Sequence, residues 1–312
     1  MNIVLIEPLG ISNELLLDFA KKIEKLGHNF IYYNDKPIDD DEIIKRIKNQ
    51  DIIMVANHPL SEDILKTNRN IKYIAVAFTG LDHVPLGYCQ KNNIYVTNCS
   101  GYSTTSVSEQ AIGMTLSLLR YLYLNNSITK EGKTNAVYGP GEEIRNKTIG
   151  IIGMGNIGME TARLFDAFGG KIIYYSRTKK EVKYEYVSLE YLLEHSDIIS
   201  IHVPYNNNTH HLIDKNKLDL LKKEAILINT ARGKVIDNNY LSLLLNNNKI
   251  KGAAIDVFDY EPPLKEDYPL LKAKNILLTP HTAFLTKEAL IRRAKIEFDN
   301  VLKFLNRYKK VE

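Results

Sequence analysis

Short apolar runs alternate along the chain with stretches whose apolar residues recur at helical spacing. Strands are predicted over residues 3–6, 30–33, 52–56, 71–78 and 94–97, with helices over 12–26, 40–47 and 61–65 between them. Strands this short and this uniformly apolar, separated by helices, are buried on both faces, so residues 1–98 read as one doubly wound parallel layer. A longer helix over 105–124 follows, with Ser106 and Glu109 at the S-x-x-E spacing of a capping box. It is expected to bridge two domains, and the polar stretch 129–143 after it reads as a loop or arm. A second series then begins, with strands over 149–152, 172–175, 198–203, 225–229, 252–256 and 275–278 and helices over 189–194, 215–221 and 238–245. The amphipathic helix 287–305 after the sixth of these strands is the candidate to cross back onto the first layer. The expected organisation is therefore α/β throughout: one domain from 1–98 plus 285–312, and an insert from 99–284.

The turn after strand 149–152 carries Gly153, Gly155 and Gly158 in a G-x-G-x-x-G spacing, and Ile157, Thr161, Leu164, Phe165 and Phe168 continue it as a helix that Gly169 and Gly170 end. Glycine lets the chain turn tightly and lets a pyrophosphate approach the main chain, while the helix start offers unpaired N–H groups to an anion. The bare spacing is often only a tight turn; with a strand before it and a helix after, it reads as a Rossmann-type dinucleotide site contacted by Gly153, Gly155, Asn156, Ile157 and Gly158. At the far end of the unit, where NAD users place Asp or Glu on the ribose 2′-hydroxyl, stand Ser176 and Arg177, followed by Thr178-Lys179-Lys180. With no acid there and a guanidinium able to hold a 2′-phosphate, NADP is expected ahead of NAD.

Composition changes this picture little. A chain of 312 residues can bury two cores. Its 41 basic and 37 acidic residues are interspersed, which leaves no electrostatic footprint for nucleic acid. Cys89 and Cys99 stand in neither a CxxC nor a metal-ligand spacing, so two free thiols in a reducing compartment are expected, and no metal. No charged leader precedes the first strand, and no apolar run approaches the roughly 18 residues of a membrane span. A cytoplasmic protein without a membrane partner is expected.

Ligands of open α/β sheets sit beyond the carboxyl ends of the strands. Three strands there lead into Thr230-Ala231-Arg232-Gly233, into Glu261-Pro262-Pro263 and into Thr279-Pro280-His281-Thr282-Ala283. Taken singly, such residues are most often a surface ion pair, a solvated acid and a turn histidine. Taken together, the glycine fingerprint, NTARG, DVFDYEPP and LTPHTA, in this order and at these intervals, resemble the D-isomer-specific 2-hydroxyacid dehydrogenase family over essentially the whole chain. The resemblance implies a Rossmann-type nucleotide domain inserted in a flavodoxin-like substrate domain, usually a homodimer, with Arg232, Glu261 and His281 as the catalytic set. It further implies that backbone N–H groups at Gly80 and Leu81 bind the substrate carboxylate. Tyr102 and Phe284 match aromatics that lactate-type members place by the substrate. Thr230 and Asp256 are implied near the nicotinamide, and His202, Val203 and Pro204 along the dinucleotide. Phosphoglycerate-type relatives offer an arginine just after the third strand, where this chain has Ala56-Asn57-His58, so a small, non-phosphorylated 2-oxo acid is the expected substrate.

The chemistry of the set can be argued from the side chains. Arg232 offers a planar fork that holds a carboxylate or carbonyl oxygen by charge-assisted bonds. His281 can give a proton to the carbonyl oxygen as hydride arrives, and take it back in reverse. Glu261 can fix the imidazole's tautomer and favour its protonated form. Two alternatives remain open from sequence. Formate dehydrogenases of the family carry glutamine where Glu261 stands, and dinucleotide-sensing corepressor-like proteins share the scaffold, usually with long extra tails that this chain lacks.

Overall fold

The computed structural model describes residues 1–133, 138–261 and 263–308; part of the expected arm, Pro262 and the end of the short basic tail lie outside them. The chain forms two compact units, Met1–Ser103 with Leu285–Glu312, and Thr104–Phe284.

The first unit contains strands β1 (Asn2–Leu5), β2 (Asn29–Tyr32), β3 (Ile52–Val55), β4 (Tyr73–Val76) and β5 (Tyr95–Thr97), with helices α1 (Asn13–Glu24), α2 (Asp40–Ile47), α3 (Glu62–Lys66) and α4 (Leu86–Lys91). All strand pairs are parallel, in the order β2-β1-β3-β4-β5. Both faces are covered: Ile3 and Leu5 pack with Phe19 and Phe298, and Val4 and Ile6 pack with Ile43, Ile47 and Ile64 on the other side. This is why β3 and β4 are apolar at every position rather than alternating. The helices start where the sequence offers a side-chain acceptor: Ser12, Asp39 and Ser61 accept from the N–H of Leu15, Glu42 and Ile64.

The second unit contains helices α5 (Thr104–Leu119) and α6 (Leu122–Lys130), strands β6 (Thr148–Ile152), β7 (Lys171–Tyr175) and β8 (Glu185–Tyr186), and α7 (Asn156–Ala167) between β6 and β7. It continues through α8 (Leu189–His195), β9 (Ile198–Ile201), α9 (Lys215–Leu218), β10 (Ile226–Asn229), α10 (Asn238–Asn246), β11 (Gly252–Ile255) and β12 (Ile276–Leu278). Its seven strands are parallel in the order β12-β11-β10-β9-β6-β7-β8. The last helix, α11 (Lys287–Tyr308), belongs to the first unit, where it packs on α1 and β4.

The structure departs from the sequence reading in four places, each for a local reason. Residues 99–103 stay with the first unit, because Cys99 Sγ donates to Arg293 O and Arg292 Nε donates to Tyr102 O. The helix expected over 105–124 is two helices, broken where Tyr121 takes a left-handed φ of 53°. Its first turn begins at Thr104, so Ser106 lies inside the helix and buried instead of capping it. Helix α4 and strand β8 are too short for their periodicity to register.

Phe298 carries the apolar contact of α11, with its ring 5.2 Å from Phe19 and 5.6 Å from Phe30. Replacing it by Ala should cost about 3–5 kcal/mol in the first unit. Urea unfolding followed by circular dichroism measures this, and a loss under about 1 kcal/mol would show that α11 does not depend on this contact.

Candidate active site

The carboxyl ends of β10, β11 and β12 lie side by side in the sheet of the second unit. The loop after β10 is fixed by its own first residue: Asn229 Oδ1 accepts from Ala231 N–H at 3.0 Å, and Asn229 Nδ2 donates to Arg232 O at 3.0 Å. A Cβ on Gly233 would fall 2.0 Å from the carbonyl carbon of Phe258, so only glycine lets this loop lie against the one that follows β11. Between those two constraints Arg232 is held extended and half-buried, with Nη1 donating to Ala231 O at 2.8 Å.

Asp256, at the end of β11, is fully buried. Its Oδ1 accepts from Thr279 Oγ1 at 2.5 Å and from Thr282 N–H at 2.9 Å, and its Oδ2 accepts from Ala283 N–H at 2.9 Å. Its backbone carbonyl accepts from His281 N–H at 2.8 Å. The loop after β12 is thereby wrapped around one carboxylate. His281 sits at its apex with φ 54°, a left-handed conformation unusual for a residue with a Cβ.

The imidazole of His281 turns Nδ1 to Glu261, 2.9 Å from each carboxylate oxygen. Its ring lies edge-on to Phe284, with centroids 5.7 Å apart. With Nδ1–H given to the carboxylate, Nε2 is the nitrogen left to exchange a proton. The histidine side chain is 25 % exposed and Glu261 72 % exposed, so the acid is the more solvated of the pair. Sequence reasoning singled out Arg232, Glu261 and His281 as candidates but not Asn229 and Thr279, whose side chains hold the two loops in place. Their signal was the polar residue at the very end or just past the end of an otherwise apolar strand.

The glycine turn after β6 has the shape that its spacing predicts. Gly153 has φ 100°, and a Cβ on Gly158 would lie 2.0 Å from Gly153 O. A Cβ on Gly155, the residue that caps α7, would meet nothing within 4 Å. The first helical bond runs from Met159 N–H to Gly155 O, so the N–H groups of Asn156 and Ile157 fall in the turn that has no intrahelical acceptor. The backbone of His202 and the side chain of Val203 close over Gly153. Burial pushes the His202 imidazole down to about 3, so it is neutral, with Nε2 2.8 Å from Ser200 Oγ. Pro204 is exposed. Among the described residues Thr230 Oγ1 is buried with no hydrogen-bond partner. An open glycine cradle, a helix start and an orphaned hydroxyl just past β10, two strands along the same sheet, fit a dinucleotide. At the end of β7, Ser176 is buried and its Oγ donates to Thr178 O at 2.7 Å, whereas Arg177, Lys179 and Lys180 are exposed.

In the first unit, Gly80 and Leu81 follow β4 in a half-buried turn, and no acceptor for either N–H is present among the described residues. Tyr102 is buried, edge-on to Phe78 at 6.1 Å and beneath the Arg293 guanidinium; burial pushes its phenol up to about 12.

The family profile described as "D-isomer specific 2-hydroxyacid dehydrogenase, NAD binding domain" matches residues 112–283. The glyoxylate reductase of Thermofilum pendens is 36% identical over 282 residues, 87% of this chain and 83% of that protein. The hydroxypyruvate reductase of Thermotoga maritima is 38% identical over 264 residues, 83% of this chain and 86% of that protein. Among solved structures, an acyclic imino acid reductase in complex with NADPH and D-Arg superposes with a TM-score of 0.89 at 30% identity, covering 98% of each chain. With the profile, the relatives and the two parallel-sheet units in agreement, the chain belongs to the D-isomer-specific 2-hydroxyacid dehydrogenase family of NAD(P)-dependent oxidoreductases.

Proposed function

We propose that the protein reduces a small, non-phosphorylated 2-oxo acid of the glyoxylate, hydroxypyruvate or pyruvate class to the D-2-hydroxy acid, as a cytoplasmic homodimer that prefers NADPH. The observation that carries the reading is the hydrogen-bonded pair His281–Glu261 on the strand edge that also presents Arg232. A bound dihydronicotinamide supplies the hydride. Arg232 binds the 2-oxo acid through its carboxylate and carbonyl oxygens, and its fixed fork orients the carbonyl. His281 donates the Nε2 proton to the carbonyl oxygen as negative charge develops there, and recovers it in the reverse reaction. Glu261 holds the ring by accepting from Nδ1. Asp256 keeps the histidine loop in place, and Thr230 offers its unpaired hydroxyl toward the nicotinamide. In the first unit, taken by itself, the N–H groups of Gly80 and Leu81 are assigned to a substrate carboxylate, with Tyr102 as packed support.

The dinucleotide is assigned to Gly153, Gly155, Asn156, Ile157 and Gly158 for the pyrophosphate, with Val203 and Pro204 alongside it. A homodimer is supported by α6, which carries Leu122, Tyr123, Leu124 and Ile128 yet has no buried residue. Sedimentation should give twice the 35.6 kDa chain mass. For localisation the support is that no described helix is long and apolar enough to cross a membrane.

The direct test is oxidation of NADPH and NADH with glyoxylate, hydroxypyruvate, pyruvate and branched 2-oxo acids, beside reduction of NAD by formate. Activity with formate alone, or tight dinucleotide binding without turnover, would reject the proposed reaction.

Glu261→Gln should lower kcat for reduction about 100-fold. The amide cannot replace the charge-assisted bond to Nδ1, and a kcat that falls less than about 3-fold would take Glu261 out of this role.

For the cofactor, the exposed Arg177 is the group that can meet a 2′-phosphate, because Ser176 already spends its hydroxyl proton on Thr178 O. Arg177→Ala should reduce kcat/KM with NADPH about 10-fold while leaving NADH nearly unchanged. Ser176→Asp should turn the preference toward NADH, and a constant NADPH to NADH ratio in both variants would refute the assignment.

A further inference from the structure

The strand order of the first unit reverses direction between β1 and β3, and in open parallel sheets the crevice beyond the carboxyl ends at such a reversal receives the ligand. Just past β3, the N–H groups of Ala56, Asn57 and His58 converge on a single oxygen, Glu7 Oε1, at 2.9, 2.9 and 2.8 Å. Three successive N–H groups aimed at one point make an anion-binding nest. Its occupant is the chain's own carboxylate, which enters from the turn after β1 and is 1 % exposed.

The surroundings are those of a charge that the fold has to balance. Glu297, on α11, is fully buried, and neither of its carboxyl oxygens has a hydrogen-bond partner among the described residues. Burial holds the Glu297 carboxyl well above the usual carboxylate range; Arg293 and the Val55 backbone pull it down, and the negative charge of Glu7 pushes it further up. Arg293, one turn earlier on α11, is 4 % exposed and donates Nη2 to Leu9 O at 2.8 Å, in the same turn that supplies Glu7. Its guanidinium carbon lies 4.7 Å from the ring centroid of Phe78, which leads into Thr79-Gly80-Leu81. The loops after β3 and β4 thus both present main-chain donors. Those after β3 are filled by Glu7, and those of Gly80 and Leu81 have no acceptor among the described residues.

We propose that Glu7 is an internal anion filling the nest beyond β3, and that it acts as a specificity-determining residue by denying that position to the distal carboxylate of a dicarboxylic 2-oxo acid. One external carboxylate has open donors at Gly80 and Leu81. A second finds the nest occupied and meets a like charge. The specificity half of this inference rests on the dehydrogenase reading above, whereas the occupancy half stands without it.

Two variants separate the halves. Glu7→Ala empties the nest, and Glu7→Gln keeps an acceptor in it without the charge. Acetate should raise the melting temperature of Glu7→Ala saturably, beyond chloride at equal ionic strength, and should not do so for the wild type. The kcat/KM ratio of oxaloacetate to pyruvate should rise about 10-fold in Glu7→Ala and about 3-fold in Glu7→Gln. An acetate effect no larger than that of chloride overturns the occupancy; an unchanged ratio in both variants, with pyruvate turnover retained, overturns the specificity. A wild type inert toward every 2-oxo acid would remove the dehydrogenase reading and the specificity with it, while the acetate measurement would still decide the occupancy. Should Glu7→Ala not fold unaided, refolding in acetate but not in chloride supports the occupancy and failure in both rejects it, and Glu7→Gln carries the ratio.

Discussion

The carboxylate of Asp256 is the point on which the histidine loop of the second unit depends. A residue with a Cβ in the left-handed region costs on the order of 1–2 kcal/mol, and His281 occupies that region. Left to itself, the loop after β12 would relax and carry the imidazole away. Asp256 opposes this with bonds to Thr279, Thr282 and Ala283, and with its carbonyl on His281 N–H. Hydrogen bonds to a charged group contribute roughly 1.5–3 kcal/mol each, so the three on the carboxylate outweigh the strain. The histidine is thereby held in one orientation by the chain itself, and Glu261 has only to accept from Nδ1.

The neighbouring loop is fixed by exclusion instead of attraction. No side chain fits at Gly233, because the backbone of Phe258 occupies the space, and the two motifs NTARG and DVFDYEPP are pressed together at that contact. Arg232 therefore inherits its position from two strands at once. The glycine turn after β6 works similarly: Gly153 and Gly158 are forced by contact with main chain, whereas Gly155 faces open space. Packing explains two of the three glycines. The third caps α7 and leaves the space beside it open, as the approach of a pyrophosphate would require.

Much of this was legible in the sequence, because the strands are buried on both faces and so announce themselves as apolar runs. Arg232, Glu261 and His281 stood out as candidates for a related reason: polar residues placed just past such runs stand at the edge where open α/β sheets receive ligands. What escaped was set by tertiary contact. Ser106 has the spacing of a cap but lies inside α5, since the helix begins at Thr104. The left-handed turn at Tyr121 has no glycine to mark it. Asp256 was placed by family likeness beside the nicotinamide, and nothing in its local sequence tells that both of its oxygens are taken up by a loop more than twenty residues on.

The first unit shows the converse of the Asp256 arrangement. There, too, a buried carboxylate gathers the main chain of a loop, but Glu7 gathers three N–H groups onto one oxygen and leaves a buried arginine and a second, partnerless carboxyl beside it. A fold that needed only to close the loop after β3 could do so with an uncharged acceptor and would not have to bury Arg293. Charged groups are costly to desolvate and are retained where their charge has consequences. At the carboxyl edge of a parallel sheet, the consequence is electrostatic: donors filled from within repel an arriving anion, and donors left open attract it. The N–H groups after β3 are filled by Glu7, whereas those of Gly80 and Leu81 have no acceptor among the described residues, and under the proposal above that contrast is what would direct a singly charged acid to the second loop.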